Sequence, residues 1–279
     1  MKHLLKKEYP SLTNKDYKKA LAFICGKCSQ YYFLDYMRCS NGNVDDAIKF
    51  YLLDFELRPI LFRYIIELEI QMKSDFSSIV KKTTKCNHFW EIKKHYIPEA
   101  TLKDSRGRRS TFDLLIEKIN LSVKKMIFKT RGPSNDVALY ATTFGTFEQL
   151  FKLIKNDYLK EFILKYTKTL DDKTYKTLKN FIEGIRRVRN RCCHGNHIIT
   201  LKMVNDLNDL RFSLTNKTIR SSIKNHISSL ESIILFIVDN VSSGNVLKKK
   251  LLKIYDKNYE ILSKYSGKHS LSSNLNLFY

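Results

Sequence analysis

Apolar residues recur at steps of three and four along this chain, a spacing that admits few folds other than a bundle of helices. Leu57, Leu61, Tyr64, Ile65, Leu68 and Met72 mark one face of a single helix. Ile60, Ile66 and Ile70 add apolar surface elsewhere on it, which places that helix deep in a core. Pro59 falls either in its first turn or inside a longer helix from about Val44, which it would kink. A second stripe comprises Leu178, Phe181, Ile182, Ile185 and Val188. A third comprises Ile223, Ile227, Leu230, Ile234, Ile237 and Val238. An earlier helix is expected from Asn14 to about Met37, with Thr13 as its cap. Nine glycines and four prolines in 279 residues are too few for a turn-dense sandwich or propeller. The expected class is all-α.

Lys103 to Ser110 reads as an exposed basic loop, and Arg131-Gly132-Pro133-Ser134 breaks the chain again. Neither divides the protein cleanly, so residues 1–241 are expected to form one helical domain. From 242 to 279 the composition turns basic, which predicts a lysine-rich helix ending in a loose tail. A hydrophobic share of 43% excludes disorder. The longest apolar run, Ile233 to Val238, is too short to cross a bilayer. The start, Met1-Lys2-His3-Leu4-Leu5-Lys6-Lys7, has no apolar leader, and six cysteines do not make a disulfide scaffold. A cytoplasmic protein without a membrane partner is expected.

Charge narrows the choice of partner. Lysine and arginine number 50 against 28 acids, a formal net charge of +22. A surplus of that size repels itself in a folded domain, and a polyanion relieves the repulsion. RNA is the partner expected, held through phosphate contacts by Arg106, Arg108 and Arg109 in the basic loop and by Lys248, Lys249 and Lys250 near the C-terminus. The C-terminal lysines fit a merely solvated face equally well.

The densest chemistry lies in Arg189-Asn190-Arg191-Cys192-Cys193-His194-Gly195-Asn196-His197. At about 100° per residue, Glu183, Arg187, Asn190 and His194 form one polar stripe opposite the apolar one. Arg186 lies beside it, and Arg189 is further round. Gly195 suits the left-handed residue that stops a helix, which puts His194 in the last turn, where the carbonyl end favours a charged imidazole. These residue types meet the needs of RNA cleavage. Histidine moves protons to and from the ribose 2′-hydroxyl and the leaving 5′-oxygen. Arginine offers a fixed fork of donors to the phosphate, and asparagine orients the imidazole or holds an oxygen. One set is sparse for two proton transfers, so a symmetric homodimer facing two sets across its axis is a natural solution. Arg189 and His194 are thus the candidate catalytic residues, with Asn190, Arg186 and Glu183 in support. The plainer alternative is a terminal histidine among surface arginines.

Other clusters carry less. Cys25 and Cys28 have zinc-ligand spacing, and Cys86 with His88 could complete four. Both cysteines sit inside a helical pattern, however, so core packing is expected, with no metal and no cofactor. Tyr31, Tyr32, Phe33 and Tyr36, like Phe144, Phe147 and Phe151, could stack on bases but fit a core better. His88 and His95 have no evident chemical duty.

At the Arg–His cluster the chain resembles the Abi-like family of bacterial abortive-infection proteins (the AbiD/AbiF type), a branch of the HEPN superfamily. Arg189-Asn190 followed by Cys192 and His194 is similar to the family form Arg-Asn-x-Cys-Ala-His, with Cys193 in place of alanine. Gly195-Asn196-His197 stands where the family often has His-Ser-Arg. Gln30-Tyr31-Tyr32-Phe33-Leu34-Asp35-Tyr36 resembles the early Tyr-Tyr segment. Asp54-Phe55-Glu56-Leu57-Arg58 and Ile66-Glu67-Leu68-Glu69-Ile70 resemble the long second helix, with Lys73 where an arginine often closes it. Thr143-Phe144-Gly145-Thr146 resembles the Ser-Phe-Gly-Thr segment. Together these span roughly residues 12 to 212. The resemblance implies a HEPN-type helical bundle with extra N- and C-terminal helices, dimerised through the motif helices. It also implies a metal-independent endoribonuclease of phage defence or toxin-like arrest, leaving 2′,3′-cyclic phosphate and 5′-hydroxyl ends. A structured noncoding RNA is a further implied partner. The rival reading is a HEPN module that sequesters such an RNA without cutting it.

Overall fold

In the computed structural model the apolar spacing folds as α-helix. The structure describes residues 2–103, 107, 109–126, 134–167, 170, 172–199 and 229–265. The chain opens with α1 (Lys2–Glu8), α2 (Asn14–Lys27) and α3 (Gln30–Cys39), then runs into α4 (Val44–Thr84). Two 3-10 turns lead to α5 (Pro98–Thr101), α6 (Thr111–Lys124), α7 (Asn135–Ala141), α8 (Phe144–Leu153) and α9 (Lys160–Tyr166). The Arg–His cluster ends α10 (Asp172–Cys193), and α11 (Ser229–Asn240) and α12 (Gly244–Lys264) complete the order. The described residues form no strand, only an isolated bridge between Tyr96 and Ile154. The all-α class is as expected.

At 41 residues, α4 is the longest element. Asn43 Oδ1 accepts from the Asp46 N–H at 3.0 Å, and Asp45 and Asp46 complement the amide end. Pro59 lies inside this helix rather than at its start. It is exposed, as is Phe55, whose carbonyl loses its donor to the proline, so the break in the ladder falls on the outer side. The stripe from Leu57 to Met72 is buried as expected. Burial all round is not found, because Ile70 is 55% exposed. It stands two residues beyond Leu68, about 200° round the cylinder.

The helix expected from Asn14 to Met37 is two helices. Thr13 does cap the first, its Oγ1 accepting from the Asp16 N–H at 3.1 Å. At Cys28 the backbone turns extended, with φ −145° and ψ 149°, and Ser29 leads into α3. Cys25 and Cys28 therefore share no helical face. Cys25 is exposed and Cys28 half-buried, which corrects the expectation that both pack in the core.

The chain divides into two compact units, Ile65–Arg186 and Met1–Tyr64 with Arg187–Tyr279, the divisions falling within α4 and α10. In the Ile65–Arg186 unit, Phe76 is the hub. Its ring lies 5.6 Å from Phe89, 5.4 Å from Phe147 and 5.6 Å from Phe162. Phe144, Phe147 and Phe151 are thus core residues rather than a stacking surface. His95 is buried too, its Nδ1 3.1 Å from the Phe89 carbonyl, and Lys73 bridges Glu69 and the Thr142 carbonyl.

In the other unit the buried faces of α11 and α12 contribute Ile234, Ile237, Leu247, Leu251 and Tyr255. Gly244 starts α12 where a Cβ would lie 1.9 Å from the Val238 carbonyl oxygen, so only glycine fits. The lysine-rich helix is therefore structural on one side. Two of its lysines pair within the unit, Lys257 with Glu56 at 2.9 Å and Lys264 with Asp46 at 2.7 Å. Lys249 is exposed, Lys248 and Lys250 are half-buried, and the Lys250 ammonium lies 5.9 Å over the Tyr64 ring. Ile223, Ile227, Arg131 to Pro133 and the expected tail from Ser270 to Tyr279 lie outside the described residues. No helix among the described residues is long and apolar enough to cross a membrane.

Asp46 ties the end of α12 to the start of α4. Its carboxylate accepts from Lys264 Nζ and the Tyr265 hydroxyl, each at 2.7 Å. Burial raises the Asp46 carboxyl, but these donors and Lys49 outweigh it and hold the group below its ordinary value. A carboxyl depressed in the folded state stabilises above its unfolded value and loses that contribution as pH falls through the folded one. Urea midpoints of the wild type should thus fall below about pH 4. Asp46→Asn should be less stable at pH 7 and should lose part of that acid dependence. Parallel pH profiles for the two proteins would refute the assignment.

Candidate active site

The end of α10 is built by its own sequence. Leu178, Phe181, Ile182, Ile185 and Val188 are buried, which leaves the opposite side of the helix for polar groups. Gly195 has φ +70°, and the Asn196 N–H returns to the Arg191 carbonyl at 2.9 Å, closing the helix with a left-handed residue. The His194 N–H reaches the Asn190 carbonyl at 2.9 Å, so His194 completes the last turn, and its side chain is exposed. Asn190 and Arg189 are half-buried, with Arg189 Nη1 3.4 Å from Asn190 Oδ1. The Arg189 guanidinium lies 5.9 Å over the Phe62 ring of α4, a cation–π contact that helps to orient it. Arg189, Asn190 and His194 thus gather at one helix end, with the imidazole open to solvent. Cys192 lies toward the apolar side, where burial pushes its thiol up to about 12 and leaves it unreactive.

The segment from Gly195 to Ile199 is held at every residue. Arg58 Nη1 donates to the Gly195 carbonyl. Asn196 Oδ1 accepts from the Tyr32 hydroxyl. The His197 carbonyl accepts from Arg191 Nη1 at 2.9 Å, and its Nε2 stands 3.2 Å from Asp35. The N–H groups of Ile198 and Ile199 donate to one oxygen of Asp54, at 2.8 and 2.9 Å. The other Asp54 oxygen accepts from the Tyr36 hydroxyl at 3.0 Å and forms an ion pair with Arg58 Nε at 3.1 Å, whose N–H donates to the Asp54 carbonyl at 3.4 Å. Burial raises the Asp54 carboxyl, while the two amides, Arg58 and Tyr36 pull the other way. Burial also lowers His197, which Tyr32 and Tyr36 flank edge-on, and Asp35 opposes that effect.

Glu183 and Arg186 belong to the Ile65–Arg186 unit. Arg186 pairs through Nε with the buried Glu148, and Lys152 joins Glu148 to Glu183 at 2.6 Å each. This network borders an open depression of about 410 Å³ lined by Lys118, Thr143, Gln149 and Arg186. Arg109 is exposed and bonds to Glu117 at 2.6 Å. Arg106 and Arg108 lie outside the described residues. The clamp of Tyr32, Asp35, Tyr36, Asp54, Arg58 and His197 was not anticipated from the motif. One signal pointed to it: Asp54 falls in register with Leu57 and Leu61, and a carboxylate in an apolar stripe requires partners.

The helix stop gives a direct test. An alanine at φ +70° costs roughly 1–2 kcal/mol, and its Cβ would approach Arg58 Nη1 to 3.4 Å. Gly195→Ala should lower urea-unfolding stability by that amount, and Gly195→Asn by less, because asparagine tolerates the left-handed region. Equal stability of Gly195→Ala and wild type would refute the geometry.

Comparison with known proteins adds one finding. A search of curated proteins and a search of solved structures each gave no match. The family model described as Abi-like protein matches residues 27–200, from the end of α2 through the motif and its clamp. The chain belongs to the Abi-like protein family.

Proposed function

We propose that this protein is a metal-independent endoribonuclease of bacterial phage defence, of the HEPN type, acting as a homodimer in the cytoplasm. The observation that carries the reading is the helix end itself. An exposed His194 comes after Arg189 and Asn190 on α10, and the chain beyond is clamped. That is the arrangement an acid–base group needs: open to substrate, yet fixed in place. Family membership supports the defence setting, and the +22 charge supports a polyanionic substrate.

In the proposed reaction the ribose 2′-oxygen attacks the adjacent phosphorus and the bond from phosphorus to the 5′-oxygen breaks. One His194 accepts the 2′-hydroxyl proton, and its counterpart in the second copy donates a proton to the departing oxygen. Arg189 meets the growing charge on the phosphoryl oxygens, and Asn190 holds the guanidinium or a phosphate oxygen. The products carry 2′,3′-cyclic phosphate and 5′-hydroxyl ends. Two imidazoles supply both proton transfers, so the scheme requires no ion. The exposed Leu52 and Phe55 support a second copy. Both precede Arg58 on α4, whose guanidinium lies 5.6 Å over the Phe55 ring and reaches Gly195. The substrate is single-stranded or loop RNA, in which an unstacked nucleotide can adopt the in-line geometry. Arg106, Arg108, Arg109, Lys248, Lys249 and Lys250 add phosphate attraction that fades with salt. A structured noncoding RNA bound by the same charge would restrain the enzyme.

Cleavage of labelled RNA in EDTA tests this. His194→Ala should cut the rate by about 10²–10⁴-fold, and Arg189→Ala by about 10²–10³-fold, with RNA affinity retained in both. Wild-type cleavage by His194→Ala would sink the assignment. Affinity without product in the wild type would instead establish an RNA-sequestering module.

A further inference from the structure

We infer that Asp54 and Arg58 of α4 are positioning residues for His194, a role that rests on the proton-transfer reading of that histidine. The argument begins with exposure. The His194 side chain is exposed at the terminus of its helix, so surrounding packing does little to hold it, and helix ends fray unless the groups beyond them are tied. Here the tie has two ends. Arg58 holds the Gly195 carbonyl, the first acceptor after His194. Asp54, with no exposed surface, holds the N–H groups of Ile198 and Ile199 at 2.8 and 2.9 Å. Asp54 and Arg58 are themselves paired, Nε to Oδ2 at 3.1 Å, four residues apart on one helix face. One guanidinium therefore spans from the buried carboxylate to the residue next to the imidazole. The loop between them can neither lengthen nor rotate without breaking a bond on α4.

Chemistry selects these residue types. A carboxylate offers acceptors on both oxygens, used here by two amides and a tyrosine hydroxyl, and a charge that pairs with the guanidinium. Asparagine would place a donor amide against one of these donors. Lysine at 58 would keep the charge beside Asp54 but has a single nitrogen, so it cannot serve Asp54 and Gly195 at the separate points that the arginine fork reaches. Misplacing a catalytic group acts on the chemical step rather than on substrate binding. The expected signature is thus a loss in kcat with KM maintained.

The test uses the full chain with Arg58→Lys and Asp54→Asn, each checked for cooperative unfolding. Two readouts are local and need no activity: exchange rates of the Ile198 and Ile199 amides, and the His194 imidazole resonance. Arg58→Lys should unfold cooperatively, shift the His194 resonance and lower kcat by at least about tenfold with KM within about twofold. Asp54→Asn should also speed exchange at Ile198 and Ile199; if it does not fold, Arg58→Lys alone decides. Arg58→Lys with the wild-type resonance and kcat overturns the inference, as does a fall in kcat that merely tracks the unfolded fraction. If the wild type cleaves no RNA, the ribonuclease reading fails, and the resonance and amide exchange still decide whether the pair positions His194.

Discussion

Asp54 is a carboxylate buried to the last atom in the middle of an apolar helix face, an arrangement that is unfavourable unless every lone pair is used. Its oxygens accept from three donors, two from the backbone after the motif helix and one from α3, and its charge pairs with Arg58 of α4 itself. Breaking such a buried pair typically costs about 3–5 kcal/mol, a large share of the roughly 5–15 kcal/mol that holds an ordinary domain together. Burial therefore enforces the connection among α3, α4 and the chain beyond His194. A purely apolar contact in the same place would be adhesive but undirected. The carboxylate fixes which amides meet it.

That direction distinguishes the two ends of α10. The first belongs to the Ile65–Arg186 unit, where Glu183, Arg186, Lys152 and Glu148 satisfy one another in a local ion-pair network. The second carries Arg189 and Asn190, half-buried and in contact with each other, followed by the exposed His194. His194 is open, while Arg189 rests on the Phe62 ring. Charges neutralised by neighbours contribute to structure. An exposed imidazole at a helix end is accessible to a ligand.

The fold was legible where periodicity speaks. The stripe Leu57 to Met72, the apolar side of α10, the Thr13 cap and the Gly195 stop were all readable, because each depends on local spacing or on the backbone preference of one residue. The break at Cys28 was not. Apolar residues continue at helical spacing across it, and only the extended backbone at Cys28 reveals the stop. Lys248 to Lys250 looked like a possible arm because the nearby lysines face few acids in sequence. What local sequence does not show is that their helix is anchored by Glu56 and Asp46, some two hundred residues earlier. Motif spacing put Arg189, Asn190 and His194 at the end of one helix, where the structure has them, and could not show the ion pairs that Arg186 and Glu183 make with Glu148 and Lys152.

The amino-acid order by itself determined an all-α chain, the buried face of each long helix, and an imidazole delivered to a helix terminus. All three arise from interactions within a few residues, whose geometry the helix repeat fixes. Tertiary structure alone decided that Asp54 and Arg58 would meet Gly195, Ile198 and Ile199. It also decided that Tyr32 and Asp35 would flank Asn196 and His197. Those partners lie more than a hundred residues apart, and no local preference encodes a bond between them. They come together because an apolar core brings the helices into contact, and a carboxylate carried into that core must find its donors there.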